Sequence, residues 1–290
     1  MNVRPNSARW TRGFSAAVGL VSPAIMAGQL ALVAPASAAV PGLLRVVTSG
    51  PSNSDWKTTN ANCPSGTQVI GGGGFVNGAG GQVVLDTMLP LVGGGGYSVT
   101  GREDDTGYSG NWSIVTTALC ARPPAGLETV SALSDSNSTS LKSMPVSCTP
   151  GKRVLGLGGD MSGGLGQVVI EGLIPNADLA GVTVVGREDG NGYAGNWLVH
   201  AKAICATPPS GLQLITAFGL LDSNNSKWVE AVCPAGKRVH GVGAEIIGGQ
   251  GQVRLTGAWA VSDTEVRVAG AEDEDGFTGN WAVKAYAICA

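Results

Sequence analysis

Alternation of apolar and polar positions is the dominant pattern of this chain, and it is clearest in a stretch that occurs three times. In the second copy every second residue from position 197 to 205 is apolar, beginning with a tryptophan and ending with a cysteine. A period of two residues is typical of a β-strand that buries one face. We therefore predict that the tryptophan face is buried and that the three equivalent tryptophans are core residues: Trp112, Trp197 and Trp281.

The three copies close three tandem repeats of about 85 residues, which predicts one supersecondary unit made three times. In the second repeat, residues 127–134 and 140–148 flank a polar Asp-Ser-Asn-Ser turn and are predicted to form a hairpin. Further strands are predicted at residues 153–159, 166–170, 182–185 and 197–205. This makes about six short strands per repeat. No segment has a sustained 3.6-residue apolar period, so essentially no helix is expected.

Proline-rich segments mark the boundaries of the repeats. Pro-Pro-x-Gly-Leu occurs at residues 123–127 and 208–212 and is typical of a stiff linker. We predict a signal peptide at residues 1–39 and β repeats at residues 40–122, 123–207 and 208–290. The expected fold is all-β, with three tandem antiparallel units. The alternative is a single β-prism with pseudo-threefold symmetry.

Residues 1–39 have the organisation of a secretory signal. Arg4, Arg9 and Arg12 form a positive start, an apolar run covers residues 14–33, and Ala-Ser-Ala at 36–38 supplies small residues for cleavage. We therefore expect a secreted, extracellular protein. No later segment is apolar over a length sufficient for a membrane span.

Six cysteines in an exported chain predict three disulfides. The repeat suggests one disulfide per unit, each closing a loop that stabilises the fold by about 4 kcal/mol in the chain-entropy model. The simplest pairing lies within repeats: Cys63–Cys120, Cys148–Cys205 and Cys233–Cys289. The alternative links neighbouring repeats into a ring: Cys120–Cys148, Cys205–Cys233 and Cys63–Cys289.

Composition narrows the classes of function. The formal net charge is -3, and residues 1–39 contain no acid, so the remainder is more acidic than the whole chain. This argues against nucleic acid or an anionic membrane as partner. The two histidines, His200 and His240, occupy non-equivalent positions, and no Gly-x-Ser-x-Gly motif is present. We therefore expect no catalytic activity, with an extracellular hydrolase as the third-ranked alternative.

Acidic residues recur in the loop before each tryptophan. Glu-Asp occurs at residues 103–104, 188–189 and 272–273, followed two residues later by an oxygen-bearing side chain and then by glycine. The favoured interpretation is an Asx-type turn in which glycine adopts a positive φ. The same alternation begins calcium-binding loops, so calcium is a candidate cofactor. Its ligands would be Asp104, Asp189, Asp273 and Asp275.

Aromatic residues outside the shared pattern are the better candidates for function. Trp228 and Trp259 have no aromatic counterpart in the other repeats, and Tyr286 is predicted to lie on the outward face of the last strand. A second set recurs in the acidic loops and would form three equivalent weak sites: Tyr108, Tyr193 and Phe277. Flat rings suit the stacking of sugars, so we predict non-catalytic binding of carbohydrate or cell-wall polymer. A structural envelope protein without a discrete ligand is the alternative.

Three recurrent motifs resemble those of secreted repeat proteins of actinobacteria, which are mostly of unassigned function. In the third repeat they are Cys-Pro-Ala-Gly-Lys-Arg-Val-His-Gly-Val-Gly at 233–243, Gly-Gln-Val at 251–253 and Gly-Asn-Trp-Ala-Val-Lys-Ala-Tyr-Ala-Ile-Cys-Ala at 279–290. This resemblance implies no catalytic residues. The plan of three glycine-rich all-β repeats is also similar to that of β-prism proteins such as jacalin-type lectins and vitelline membrane outer layer protein, which implies carbohydrate binding.

Overall fold

The alternating pattern corresponds to 18 β-strands within residues 39–290, the part of the chain that this computed structural model describes. The first repeat contains β1 (Leu44–Ser49), β2 (Lys57–Asn62), β3 (Gln68–Asn77), β4 (Val83–Pro90), β5 (Gly96–Glu103) and β6 (Ser113–Ala121). The second contains β7 (Glu128–Leu133), β8 (Leu141–Ser147), β9 (Arg153–Ser162), β10 (Val168–Pro175), β11 (Gly181–Glu188) and β12 (Leu198–Ala206). The third contains β13 (Gln213–Phe218), β14 (Ser226–Val232), β15 (Val239–Ile247), β16 (Val253–Ala260), β17 (Glu265–Glu272) and β18 (Ala282–Cys289).

These strands confirm the predicted all-β fold with six antiparallel strands per repeat. The only helical element within the described residues is a short 3-10 turn, Val92–Gly94, as the absence of a 3.6-residue period predicted. The predicted signal peptide at residues 1–39 lies almost wholly outside the described part of the chain.

The strands form three six-stranded sheets, and each sheet is shared by two repeats. Sheet I has the order β1-β6-β3-β16-β17-β14 and joins the first and third repeats. Sheet II, β2-β5-β4-β9-β12-β7, joins the first and second, and sheet III, β13-β18-β15-β10-β11-β8, joins the second and third. Two residue pairs bridge each seam between repeats. The repeats therefore close into a ring with pseudo-threefold symmetry and do not form separate sandwiches.

The predicted hairpin between residues 127–134 and 140–148 is wrong. β7 pairs with β12 in sheet II and β8 pairs with β11 in sheet III, so the chain changes sheets between these two strands. The consecutive strands that do pair are β4 with β5, β10 with β11 and β16 with β17. A turn signal shows where the chain reverses, but it does not show whether the two strands share a sheet.

Each disulfide fastens the two sheets of one repeat together. Cys63 follows β2 of sheet II and Cys120 lies in β6 of sheet I, with 5.6 Å between their Cα atoms. The same pairing joins Cys148 to Cys205 and Cys233 to Cys289. The predicted pairing within repeats is thus confirmed, and the pairing between neighbouring repeats is wrong.

The three equivalent tryptophans are fully buried between the sheets, as predicted: Trp112, Trp197 and Trp281. In the first repeat, Nε1 of the indole donates a hydrogen bond to Glu103 Oε1 at 2.7 Å. The ammonium group of Lys57 lies 3.3 Å from the centre of the ring. The same acid and lysine partners recur in the other repeats. The glutamate of each acidic loop therefore has a structural role, because it satisfies a buried indole N–H.

Glycines of the third strand in each repeat allow three strands to pack backbone against backbone. A Cβ on Gly156 would lie 2.3 Å from the carbonyl oxygen of Ile70, and Gly71 and Gly241 approach their neighbouring repeats in the same way. The third-strand glycines at 156, 158, 241 and 243 therefore face the backbone of another repeat and not a tryptophan ring. The glycines that the indole rings do approach lie in the fifth strand of each repeat: Gly101, Gly186 and Gly270.

Candidate functional site

The acidic loops of all three repeats meet around one arginine. Arg254 is 3% exposed, and its guanidinium lies 2.6 Å from Asp104 Oδ2 and 3.6 Å from Asp273 Oδ2. Burial raises the pKa of Asp189 to about 6, although the positive charge of Arg254 acts to lower it. Burial also raises the pKa of Asp273. The positive charge of one buried arginine therefore acts on three aspartates, each from a different repeat.

Only the third repeat supplies an arginine at this position. The equivalent residues of the first two repeats are Val84 and Val169, and both are buried. The aspartates are common to all repeats, whereas the charge that compensates them is not. We call this arrangement the axial cluster, and it comprises Arg254, Asp104, Asp189 and Asp273.

In the first and third repeats the aspartate also forms the predicted turn. The backbone N–H groups of Thr106 and Gly107 both donate to Asp104 Oδ1 at 3.1 Å, and the N–H of Asp275 donates to Asp273 Oδ1. Gly107 has a φ of 72°, so the Asx-type turn is confirmed. Among residues 39–290, no three acidic, histidine or cysteine side chains are arranged to hold a metal ion. Calcium binding stays a prediction.

The aromatic residues of the acidic loops pack on the loops that carry them. Tyr108, Tyr193 and Phe277 are half-buried, and each covers the glycine two residues further on. A Cβ on Gly110, for example, would lie 2.6 Å from Cζ of Tyr108. These rings therefore shape the turn.

Tyr286 lies on the strand face opposite the tryptophan, but its neighbours cover it. It is 4% exposed, and its hydroxyl donates to Glu245 Oε2 at 2.6 Å. The ammonium group of Lys284 lies 4.7 Å from the ring centre. The ring is therefore buried in a polar network on sheet III and presents almost no surface for stacking.

Trp228 and Trp259, which sequence analysis singled out, come together on the outer face of sheet I. The guanidinium of Arg267 lies between them, 4.6 Å from the ring of Trp228 and 5.7 Å from that of Trp259. Nε of Arg267 also donates to Glu230 Oε1 at 2.7 Å, and Phe75 packs 4.6 Å from Trp259. This row crosses four adjacent strands and the seam between the third and first repeats.

The two tryptophans differ in what they offer a ligand. Trp259 is half-buried between Arg267 and Phe75, whereas Trp228 is 59% exposed. Trp228 thus keeps an open ring face toward solvent. The equivalent row on sheet II has neither tryptophan nor arginine: Thr58, Ser98, Leu89 and Asp160.

A groove of about 220 Å³ opens beside Trp228 at the seam between the third and first repeats. We call it the Trp228 groove. The residues that define it are Trp228, Ala269, Ala271, Ser226, Thr256 and the glycine-rich turn at 78–81. Ala269 and Ser226 lie in β17 and β14 of the third repeat, while the turn belongs to the first repeat. The groove therefore exists only because the ring is closed.

The Trp228 groove is open because the third repeat lacks an ion pair that the other repeats have. In the first repeat Arg102 pairs with Asp86 at 3.4 Å, and the second repeat has the equivalent pair at 2.8 Å. The third repeat has Ala271 and Thr256 at these two positions. Sequence reasoning identified Trp228 but missed the groove. The replacement of an aligned arginine and acid by alanine and threonine was the signal that would have found it.

No protein-family profile matches the chain, and no curated protein matches it in sequence. Across the residues that the structure describes, none of the helical structure is long and apolar enough to cross a membrane.

Proposed function

We propose that this protein is a secreted, non-catalytic carbohydrate-binding protein and that the Trp228 groove is its binding site. The observation that carries the proposal is the open indole face of Trp228 beside a groove that only the third repeat leaves unfilled. Three disulfides suit a protein of an oxidising compartment, which supports the expected secretion.

Stacking on Trp228 is the interaction that a sugar ring would make. A pyranose has a face of C–H groups and a rim of hydroxyl groups, so it fits an indole face that is bordered by polar atoms. Ser226 and Thr256 supply hydroxyl groups at the border, and the turn at residues 78–81 supplies backbone groups. Arg267, which is held by Glu230, packs against Trp228 and fixes the orientation of its ring. A preoriented ring loses less conformational entropy when the ligand binds.

The composition of the groove supports binding without catalysis. Its lining includes no acid, histidine or cysteine, and its one charged residue, Lys227, is engaged elsewhere. Glycoside hydrolysis needs two carboxyl groups that face the substrate, and acyl transfer needs a nucleophile with a base. The groove has neither set.

The proposal is tested by replacing Trp228 with alanine. Binding of the mature protein to immobilised glycans and to cell-wall polymers is measured by calorimetry or pull-down, and Trp228→Ala is expected to lose at least about tenfold in affinity. Trp56→Ala is the matched control, because Trp56 is also 59% exposed and also stacks on an arginine, 5.0 Å from Arg102. Unchanged binding by Trp228→Ala, or equal losses in both variants, would overturn the proposal.

A further inference from the structure

The cations near the Trp228 groove are already engaged, which bears on the charge of its ligand. Nζ of Lys227 donates to the carbonyl oxygens of Asp222 at 2.9 Å and Trp281 at 2.8 Å, and it also lies over the ring of Trp281. Arg267 is bonded to Glu230. An anionic sugar would therefore lose its hydration without gaining a free cation, which is unfavourable. The groove suits a neutral ligand.

The lining of the groove is mostly apolar and small. Ala269 and Ala271 present methyl groups beside the indole, and the only neutral polar side chains are the hydroxyls of Ser226 and Thr256. Neither hydroxyl makes a hydrogen bond to another described residue. An unmodified hexose carries hydroxyl groups around its whole rim, and each one that is buried without a partner costs about 1–3 kcal/mol.

We infer that the Trp228 groove selects a neutral N-acetylated amino sugar, an inference that rests on the proposed function. An acetamido group combines a methyl with a planar amide. The methyl suits the surface formed by Ala269 and Ala271, and the amide N–H and carbonyl oxygen suit the hydroxyls of Ser226 and Thr256. The sugar ring itself stacks on Trp228.

The groove is small enough that it holds one sugar unit. Its volume of about 220 Å³ is below the usual range for ligand pockets, about 300–1,000 Å³, so a single ring with its substituent is the largest group that it encloses. In the second repeat the equivalent space is crossed by the Arg187–Glu171 ion pair. A polymer would therefore bind through one exposed or terminal unit at a time.

The selectivity is tested by titrating the mature protein with three oligosaccharides of equal length and β-1,4 linkage. They are built from N-acetylglucosamine, from glucosamine and from glucose. The N-acetylated oligomer is expected to bind at least tenfold more tightly than the other two. Chitin and peptidoglycan, which share this sugar, are then compared as insoluble ligands to distinguish the sources.

A variant that fills the groove tests the location. Ala269→Val introduces the residue that the second repeat has at position 185, and it is expected to lose at least tenfold in affinity for the N-acetylated oligomer. Ala132→Val is the control, because Ala132 is also a half-buried strand alanine but lies in sheet II. A preference that survives Ala269→Val overturns the inference.

The outcomes separate the two proposals. Equal affinity for all three oligomers, abolished by Trp228→Ala, overturns the acetamido selectivity and leaves carbohydrate binding in place. Failure of every oligomer and polymer to bind overturns both. Tight binding of the N-acetylated oligomer, lost in Ala269→Val and kept in Ala132→Val, supports both.

Discussion

Replacement of Arg254 by valine, the residue that the first two repeats have at this position, is expected to destabilise the ring strongly at neutral pH. The guanidinium contacts Asp104 at 2.6 Å, and its side chain is 3% exposed. Its removal leaves Asp104, Asp189 and Asp273 without their countercharge in the axial cluster. Breaking a buried ion pair in this way costs about 3–5 kcal/mol. For a domain of this size the loss corresponds to a decrease in Tm of about 10 °C.

The loss of stability in Arg254→Val should depend on pH, and the direction of this dependence follows from the raised pKa values of two aspartates. Burial raises the pKa of Asp189 to about 6 and also raises that of Asp273, so the folded protein binds more protons than the unfolded chain between about pH 4 and pH 6. These carboxyls favour folding at low pH, and that contribution is lost as pH rises through about 6. Without the guanidinium, which acts to lower both pKa values, they should rise further. The cost of Arg254→Val should therefore be small near pH 4 and large near pH 7.

Urea unfolding at about pH 4 and about pH 7, followed by tryptophan fluorescence, measures the loss of stability and its dependence on pH. Arg45→Val is the control, because Arg45 is an exposed strand arginine and its replacement should change stability by less than about 0.5 kcal/mol. Asp104→Asn in the Arg254→Val background should recover part of the loss. A loss below about 1 kcal/mol at neutral pH, or equal losses at the two pH values, would refute the reasoning.

Three further predictions concern the stability and packing of the repeats. Replacing Cys148 and Cys205 together by serine should lower the urea-derived stability by about 4 kcal/mol, and an unchanged midpoint would contradict this. His240→Leu removes the acceptor of the Val40 N–H and should lower the free energy of unfolding, measured in the same way, by about 1–3 kcal/mol. Because burial lowers the pKa of His240 to about 4, the wild type should lose stability below about pH 6.5, and the variant should lack this component. Gly156→Ala would place a Cβ 2.3 Å from a carbonyl oxygen of the neighbouring repeat, so this variant is expected to lose native packing. A near-ultraviolet circular dichroism spectrum like that of the wild type would argue against backbone packing at the centre.

The strands, the buried tryptophans and the disulfides could be predicted because they follow from local periodicity and from the repeat itself. Residues 197–205 alternate, and cysteines at a constant interval fix the simplest pairing. The sharing of sheets could not be predicted in the same way. It depends on close approach between repeats, which the sequence indicates only through glycines such as Gly71 and Gly156. A glycine in a strand indicates that something lies close, but it does not identify the neighbour.

The candidate site was predictable only in part, for a related reason. The absence of aromatic counterparts identified Trp228, whereas the outward position on its strand selected Tyr286, which is buried beside Glu245. A position on the outward face of a strand does not guarantee exposure, because a long side chain of the adjacent strand can lie against its neighbour and shield it from solvent. Trp228 stays exposed because its cross-strand partner is Ala269.

The position of one arginine contributes to both the axial cluster and the Trp228 groove. In the first repeat, Val84 on β4 pairs with Arg102 on β5, and in the third repeat Arg254 on β16 pairs with Ala271 on β17. The arginine of the third repeat thus lies on the other strand of this pair. There it supplies a cation to the aspartates, and the groove is left unfilled. The double variant Arg254→Val, Ala271→Arg keeps the net charge of the chain and changes its composition by one alanine that becomes a valine. It should lose stability, as Arg254→Val does, and lose glycan binding, as a filled groove requires. Wild-type affinity in a folded double variant would show that the groove is not the binding site.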